Sequence, residues 1–438
     1  MYGCNLGTLF KLTVGGGSYQ EGMTVHIQGV PPGMQFTEEQ IYREMLLRKP
    51  GQGELSSPRK EPDIPILYSG FNVDNTMVGF ENARKTNGTP LVILIPNLDR
   101  HFEHIEQYRV TNRTPRPGHA SYATYQKYGE CDDSIGAGIF SGRYTNTIVA
   151  AGAVAKEILK KHGIFVYAYV RELAGVVARD MPFEEIRRVA EAYRKVRVEH
   201  DVIYQAFFAS GLLKPEMRLL EKMAVLVDFE KIRDAAKVKK MVPEKIKAEY
   251  GVHYSLNCPD VEAAEQMHKR TIEIRDEGDS AGGLVEIIAT GIPAGMGEPV
   301  FRKLDAEIGR MLGIASVKAV EIGAGIKAKD MKGSKCNDQM RMKEGRVVFD
   351  SNNAGGITGG ITTGQDIIAR ITVKPTPTIG KDQHTIDKVS LEDKVLSAVT
   401  RRDPTIVARV WPVAEAYMAI ILLDYYIQHI AYQKMREK

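Results

Sequence analysis

The middle of this chain differs in character from both of its ends. From about residue 175 to 251 the sequence is charged and amphipathic, with few glycines and few β-branched runs. The flanks carry glycine-rich turns such as "VGGGSYQEG" and "SNNAGGITGGITTG" between short β-like runs. These textures indicate different secondary structure. We predict a helical subdomain, 175–251, inserted between two parts of one core, 1–174 and 252–438.

Strands and helices are both predicted in the flanks, which gives an α+β class. "TPLVILIPN" is an apolar run with β-branched residues and a proline at each end, and "MTVHIQGV" alternates, so both are predicted strands. "RVVFD" and "DIIARITVKPTP" are predicted strands late in the chain. "FTEEQIYREMLLR" places Gln40 three residues after Thr37, a capping-box pattern that begins a helix. "TNTIVAAGAVAKEILKKHG" has helical spacing. "VWPVAEAYMAIILLDYYIQHIAYQKMREK" is mostly apolar and is predicted to be a core helix.

Composition excludes several classes of protein. The 59 basic and 55 acidic residues give a net charge of +4, with no long basic tract, so we expect no nucleic-acid partner. The small basic surplus suits an anionic small substrate. The apolar stretch "MAIILLDYYIQHIAY" is interrupted by Asp424 and His429 and is too short to span a bilayer, so we expect no membrane role. The first residues lack the pattern of a signal peptide.

The four cysteines are far apart and never form C-x-x-C. We therefore predict neither a structural metal site nor a disulfide framework, and free thiols suit the cytoplasm. No G-x-S-x-G, H-E-x-x-H or Walker A pattern is present. The glycines of Ser351–Gln365 allow close backbone approach to an anionic ligand, or form only a tight turn.

Many stretches, in order and spacing, together resemble the chorismate synthase family. The resemblance covers nearly the whole chain apart from the predicted insertion. It is carried by "RKPGQGELSSPRKEPD", "NGTPLVILIPNLD", "RPGHA", "IFSGR" leading into "VAAGAVAK", "GDSAGGLVEIIATGIPAGMGEPVFRKLDAEIG", "GSKCND", "SNNAGGITGGITTGQ", "KPTPTI" and "RRDPTIVAR".

The resemblance implies a fold and a reaction. The family has helices between two antiparallel sheets, with internal pseudo-symmetry, and assembles as a tetramer. Its members bind reduced flavin mononucleotide (FMN) and remove phosphate and a C6 proton from 5-enolpyruvylshikimate 3-phosphate, giving chorismate. The chain has no nucleotide fingerprint G-x-G-x-x-G between a strand and a helix, so a separate flavin reductase is a possible partner.

The same resemblance assigns the catalytic residues. His119, in "RPGHA", corresponds to the acid that assists phosphate departure, and Asp403, in "RRDP", to the carboxylate near the flavin N5 atom. Tyr19 stands where the family has the histidine that protonates the flavin. A phenol can still donate a hydrogen bond, but it cannot supply the charge of an imidazolium.

Binding residues follow from the matched motifs. Arginine clamps for the anionic substrate are expected at Arg48, Arg116, Arg143 and Arg409. The flavin is expected to contact the segments that hold Phe140, Ser141, Gly142, Ala315, Ser316, Gly355, Gly356, Lys374, Pro375, Thr376, Pro377, Thr378 and Arg401.

Several departures from the family pattern fall at ligand-facing positions. Besides Tyr19, Glu54 stands where an arginine is usual, and Ile139 replaces a flavin-side histidine or arginine. Arg402 replaces the histidine before Asp403. The segment "CDDSIGAG" has lost two arginines and gained acids. These changes suggest that the substrate pocket is reworked.

Three hypotheses stay open at this point. The first is a divergent chorismate synthase; the second is a paralogue, an FMN-dependent lyase for another cyclic phosphate or enol ether. The third is a flavin-binding or assembly protein without catalysis. The lost arginines weigh against the first, and the retained His119 and Asp403 weigh against the third.

Overall fold

The computed structural model describes residues 3–51, 53–56, 61–72, 84–99, 112–133, 135–236, 238, 241–398 and 403–436. Two five-stranded antiparallel sheets form its outer layers. The first sheet has the order β1-β2-β3-β5-β4, with strands β1 (Asn5–Leu6), β2 (Lys11–Gly16), β3 (Gly22–Gln28), β4 (Ile66–Ser69) and β5 (Leu91–Pro96).

The second sheet is formed by strands that follow residue 164. Its order is β7-β6-β8-β14-β9, with strands β6 (Phe165–Leu173), β7 (Val176–Val177), β8 (Gly283–Thr290), β9 (Val317–Ile322) and β14 (Ile367–Val373). Among the described residues, three small hairpins pair β10 (Met340–Lys343) with β11 (Arg346–Phe349), β12 (Ile357–Thr358) with β13 (Ile361–Thr362), and β15 (Gln383–Ile386) with β16 (Asp393–Leu396).

The helices in chain order are α1 (Glu38–Met45), α2 (Ser121–Tyr128), α3 (Thr145–Lys160), α4 (Phe183–His200), α5 (Leu219–Val227), α6 (Phe229–Ala235), α7 (Pro243–Tyr250), α8 (Val261–Asp276), α9 (Leu304–Gly309), α10 (Gly333–Cys336) and α11 (Val407–Arg436). A π-helical turn, Tyr204–Ala209, follows α4.

Helices α3 and α11 lie between the two sheets and form the middle layer. Helix α3 packs on β3 and β5, helix α11 packs on β6 and β8, and the two helices contact each other along their length. Both are apolar enough to be buried on every side in their central turns, as such a position requires. The predicted α+β class, with helices sandwiched between antiparallel sheets, is confirmed.

Helix α11 also fixes the start of the first sheet. The buried carboxylate of Asp424 accepts hydrogen bonds from the backbone N–H groups of Thr8, Leu9 and Phe10, at 3.0, 2.6 and 2.9 Å. With its 30 residues, this helix is long and apolar enough to cross a membrane, so the expectation that the apolar stretch is too short was wrong. Most of it is buried within the protein, as a core helix is.

The individual elements predicted from the sequence are present. The capping box is formed: Gln40 N–H donates to Thr37 Oγ1 at 3.2 Å, and Thr37 N–H donates to Gln40 Oε1 at 3.0 Å. The charged middle segment forms helices α4 to α7. Part of it joins the main core, since Phe207 is fully buried there, and part packs on a small core of Val189, Val196, Ile246 and Val252.

Candidate active site

The segment Lys374–Thr378, just after strand β14, contacts the loop that carries His119. The Lys374 ammonium donates to the carbonyl of Gly118, and Arg116 Nη1 lies 3.5 Å from Thr378 Oγ1. Pro377 packs beside Gly118, whose φ of +70° favours glycine. Two motifs that are more than 250 residues apart in the chain therefore form one wall.

The ring of His119 lies between the Arg116 guanidinium and the backbone N–H of Ser121. Arg116 Nη2 lies 3.1 Å from Nε2, and the N–H of Ser121 donates to Nδ1 at 3.2 Å. Burial, with the nearby charges of Arg116 and Lys374, lowers the pKa of His119 to about 4. The imidazole is therefore neutral at pH 7, with a pKa well below the ordinary histidine value of about 6.5.

Asp403 is hydrogen-bonded through its backbone to the same segment, Lys374–Thr378. Thr376 Oγ1 donates to the carbonyl of Asp403 at 2.8 Å, and Ser280 Oγ donates to the carbonyl of Thr376 at 2.8 Å. Arg409 Nη1 lies 3.6 Å from Asp403 Oδ2. The other oxygen, Oδ1, is buried and has no hydrogen-bond partner among the described residues.

Two further predicted arginines, Arg48 and Arg143, are buried and paired with acids. Arg48 Nη1 lies 3.0 Å from Asp63 Oδ2, and Arg143 Nη1 lies 2.9 Å from Glu61 Oε1. Arg409 Nε donates to the backbone carbonyl of Arg48 at 3.0 Å, which joins the group to Asp403. Burial lowers the pKa of Arg48 from its ordinary value.

Arg143 keeps unused donors. Its Nε and Nη2 atoms are buried and have no hydrogen-bond partner among the described residues. Asn146, on the first turn of α3, donates to Asp63 Oδ1 at 3.3 Å and leaves its own Oδ1 without a described partner. Buried donors without partners are costly and rare, so they point to a ligand that the free chain lacks.

The predicted flavin segments around α3 and β9 are connected to Lys374. The N–H of Lys374 donates to the carbonyl of Ser316 at 2.9 Å. The N–H of Ala315 donates to Tyr144 Oη at 3.0 Å. Tyr144 follows the turn in which Ser141 Oγ accepts from the N–H of Arg143 at 3.3 Å. Phe140, Gly142 and Pro375 belong to the same stretches; Phe140 is exposed and Pro375 packs close to Gly282.

Gly355 and Gly356 lie elsewhere in the chain's fold. Gly355 packs tightly against Gly323, and its carbonyl accepts from the N–H of Ile368 at 3.3 Å, at the start of β14. Lys374 follows the end of that strand, six residues on. At about 3.3 Å per residue the two ends are about 20 Å apart. The structure does not bring these glycines to the His119 wall of the same chain.

Tyr19 lies on a loop fixed by Asn97. The Asn97 amide donates to the carbonyls of Gly17, Ser18 and Gln20, at 3.0, 3.2 and 2.6 Å. The Tyr19 ring packs directly on Gly136, where any side chain would overlap it. This contact joins Tyr19 to the altered segment "CDDSIGAG", just before the segment of Phe140 and Arg143.

Glu54 faces a histidine of helix α8. Its Oε2 atom lies 3.5 Å from His268 Nε2, which is also 3.2 Å from Tyr254 Oη. With 63% of its side chain exposed, the Glu54 carboxylate keeps much of its hydration. Two predicted positions, Arg401 and the altered Arg402, lie outside the described residues.

Sequence reasoning did not assign the acids Glu61 and Asp63. Both are buried and each neutralises a predicted arginine clamp. The sequence did contain a signal for them, because "EPD" ends the motif that begins with Arg48. Buried arginines need a counter-charge, and a nearby acid in the same motif can supply it. Asp63 also has a φ of +51°, a left-handed conformation that aspartate tolerates better than most residues.

Comparison with known proteins agrees with this architecture. The family model for chorismate synthase matches residues 10–427. Chorismate synthase of Methanosarcina acetivorans is 37% identical over 429 residues, which cover 98% of this chain and 97% of the relative. The enzyme of Acetivibrio thermocellus is 36% identical over 441 residues, covering 97% and 94%.

A solved structure gives the same fold. A crystal structure of chorismate synthase matches 97% of this chain and 93% of its own, with a TM-score of 0.62 at 22% sequence identity. The family model and the full-length relatives go further than the fold. This chain belongs to the chorismate synthase family, whose members are carbon–oxygen lyases that eliminate phosphate.

Proposed function

We propose that this protein eliminates phosphate and the C6 proton from 5-enolpyruvylshikimate 3-phosphate to give chorismate. One observation carries the proposal: the segment Lys374–Thr378 holds His119 through Gly118 and Arg116, and holds Asp403 through Thr376. An acid for phosphate departure and a carboxylate for proton transfer are thereby fixed to one rigid stretch of chain.

His119 is suited to act only after the substrate binds. Its pKa of about 4 keeps the free imidazole neutral. A phosphate dianion placed beside it favours the charged form and raises that pKa, which offsets the effects of burial, Arg116 and Lys374. The residue then holds a proton at the moment when the leaving phosphate gains charge.

Arginines supply the rest of the anion site. The unused Nε and Nη2 donors of Arg143 are positioned for a carboxylate or phosphate, in the two-atom mode that guanidinium groups favour. Arg116 contacts Thr378, and Arg409 lies near Asp403 and donates to the carbonyl of Arg48. The acids Glu61 and Asp63 keep the arginines from repelling one another while the site is empty.

Reduced FMN is the cofactor that we propose, and the residues present fit it. Lys374 and Thr378 offer an ammonium and a hydroxyl for its phosphate, whereas the Thr376 hydroxyl already donates to the Asp403 carbonyl. The unpartnered Oδ1 of Asp403 offers an acceptor for its ring. When bound, reduced FMN supplies an electron transiently and takes up hydrogen, so that the net redox change is zero. Asp403 is the carboxylate that would exchange a proton with the bound flavin. Tyr19 would donate a hydrogen bond at the position where relatives have a histidine.

The second candidate is a paralogue that acts on another cyclic phosphate or enol ether. Tyr19, Glu54 and Ile139 favour it, because each changes charge or proton supply at a position that the family resemblance places beside a ligand. The full-length similarity to curated chorismate synthases favours the first candidate.

Assembly and location follow from the family resemblance. We propose a homotetramer in the cytoplasm, supplied with reduced flavin by a separate reductase. The described cysteines are all free, as suits a reducing compartment. Sedimentation of the purified protein tests the oligomeric state.

The decisive experiment mixes purified protein, chemically reduced FMN and 5-enolpyruvylshikimate 3-phosphate under anaerobic conditions. Phosphate release and chorismate absorbance are followed together. We expect both above a blank of flavin alone, and the variant Asp403→Asn should lose most of the rate. Release no faster than the blank would overturn the chorismate synthase assignment and favour the paralogue.

A further inference from the structure

The helical segment after β7 contacts Lys49, the sequence neighbour of Arg48, through a buried aspartate. Asp201 is the residue at the C-terminal end of α4 and is only 7% exposed. Its Oδ1 atom accepts from Tyr42 Oη at 3.0 Å and from the N–H of Tyr204 at 2.7 Å. Its Oδ2 atom forms an ion pair with the ammonium of Lys49, which is equally buried.

Lys49 and Arg48 are neighbours in the sequence, and each side chain is held by a different acid. The Lys49 ammonium pairs with Asp201 and also donates to Tyr42 Oη at 3.1 Å. The Arg48 guanidinium pairs with Asp63 at 3.0 Å. With both side chains buried and paired, the peptide between them has little freedom to rotate.

The carbonyl of that peptide is the acceptor that holds Arg409. Arg409 Nε donates to Arg48 O at 3.0 Å, and Arg409 Nη1 lies 3.6 Å from Asp403 Oδ2. A continuous series of contacts therefore runs from Asp201 through Lys49 and the Arg48 carbonyl to Arg409 and Asp403.

Removing the aspartate charge would disturb this series in a defined way. A buried ammonium without its counter-charge is strongly unfavourable, so Lys49 would turn toward water or another acceptor. That movement rotates the peptide that anchors Arg409. Shifts of about 1 Å at such positions can cost up to about 100-fold in rate.

We propose that Asp201 is a positioning residue, through which the helical segment fixes Arg48 and Arg409 for the anionic substrate. The inference rests on the proposed function for its kinetic consequence, while its structural consequence stands alone. The segment would then be part of the active-site framework and not a surface addition.

The test compares Asp201→Asn with a matched control that breaks another buried ion pair between the helical segment and α1. The control is Glu38→Gln, which breaks the buried ion pair between Lys222 of α5 and Glu38 of α1 and has no contact with Arg48 among those described. Both variants should lower the Tm. Only Asp201→Asn should raise the KM for 5-enolpyruvylshikimate 3-phosphate, by about tenfold, with a smaller change in kcat.

A double variant separates positioning from stability. Asp201→Asn with Lys49→Met leaves no unpaired buried charge, so the Tm should recover while the KM stays raised. Recovery of both, or a wild-type KM in Asp201→Asn, would overturn the proposal.

A direct structural readout covers the case in which the wild type releases no phosphate. Crystal structures of the wild type and of Asp201→Asn should differ in the position of the Arg409 guanidinium relative to Asp403. An unmoved guanidinium overturns the inference whatever the activity, and a displaced one supports it even if the assigned substrate is wrong.

Discussion

Arg143 illustrates how a single buried side chain can be both anchored and available. One nitrogen pairs with Glu61, while Nε and Nη2 have no described partner. The residue begins the turn that leads into α3, so its position is set by a helix that is buried between two sheets. Its rigidity reduces the entropy that a binding arginine would otherwise lose.

Arg143→Lys should separate anchoring from binding. The lysine ammonium can still pair with Glu61 but has no forked second and third donors. We expect the free energy of unfolding, measured in urea, to change by less than about 1 kcal/mol, while the KM for the substrate rises about tenfold or more. An unchanged KM would mean that the two unused nitrogens do not face the ligand.

His119 should control the pH dependence of turnover. The free imidazole titrates near pH 4, and bound phosphate raises that pKa, so kcat should fall as pH rises through the new value. His119→Asn should lower kcat by about 100-fold or more and remove this basic limb. A basic limb that persists in His119→Asn would assign the proton to another group.

At the scale of elements, helices α3 and α11 approach each other closely in the core. Gly152 lies against Ala416 so tightly that any side chain would overlap the Cβ of Ala416 and approach its backbone. The glycine is therefore needed for close approach, although it disfavours an isolated helix by about 1 kcal/mol relative to alanine.

Gly152→Ala sets helix propensity against packing. Alanine gains about 1 kcal/mol of helix propensity, but overpacking between two rigid helices costs about 1 to 3 kcal/mol and more where backbone must move. We expect a net loss in the free energy of unfolding, measured in urea. Gly309→Ala is the control, because a side chain there meets open space at the end of α9, and it should be neutral or slightly stabilising.

Elements were predictable where local chemistry decides them. The capping box of Thr37 and Gln40 fixes the start of α1. Alternating apolar residues identify β3, and a continuous apolar run with a proline at each end identifies β5. Strands β6 and β8 were not predicted. Both are interior strands with residues buried on both faces, so apolar and polar residues do not alternate along them. Their pairing joins residues more than 100 positions apart, which no local pattern encodes.

At the scale of the whole molecule, two histidines make stability depend on pH. Burial lowers the pKa of both His119 and His253 to about 4, with help from Arg116 and Lys374 at the first and from His268 at the second. The unfolded chain binds these protons near pH 6.5, so between about pH 6.5 and 4 it holds more protons than the folded chain. The free energy of unfolding therefore falls as pH is lowered through that window.

Urea unfolding at pH 7.5 and pH 5 measures this effect. The native protein should be less stable at pH 5, and His253→Asn should reduce the difference by about 1 to 2 kcal/mol. In the native protein the N–H groups of Ser255 and Leu256 each donate to His253 Nδ1 at 3.2 Å, and the asparagine oxygen can still accept from them. An identical pH dependence in the variant would show that His253 is not buried in its neutral form.

The amino-acid sequence determined the family, the α+β class and the identity of the candidate residues, because motif residues and glycine turns are local chemical features. It also located His119, Asp403 and the arginines in the chain. Only the tertiary structure decided their state. Contacts between distant segments pair Arg48 with Asp63 and Arg143 with Glu61, lower the pKa of His119, and join Asp201 to Arg409 through Lys49. The physical reason is that charge, burial and spacing in a site depend on three-dimensional neighbours, which the order of residues along one chain does not specify.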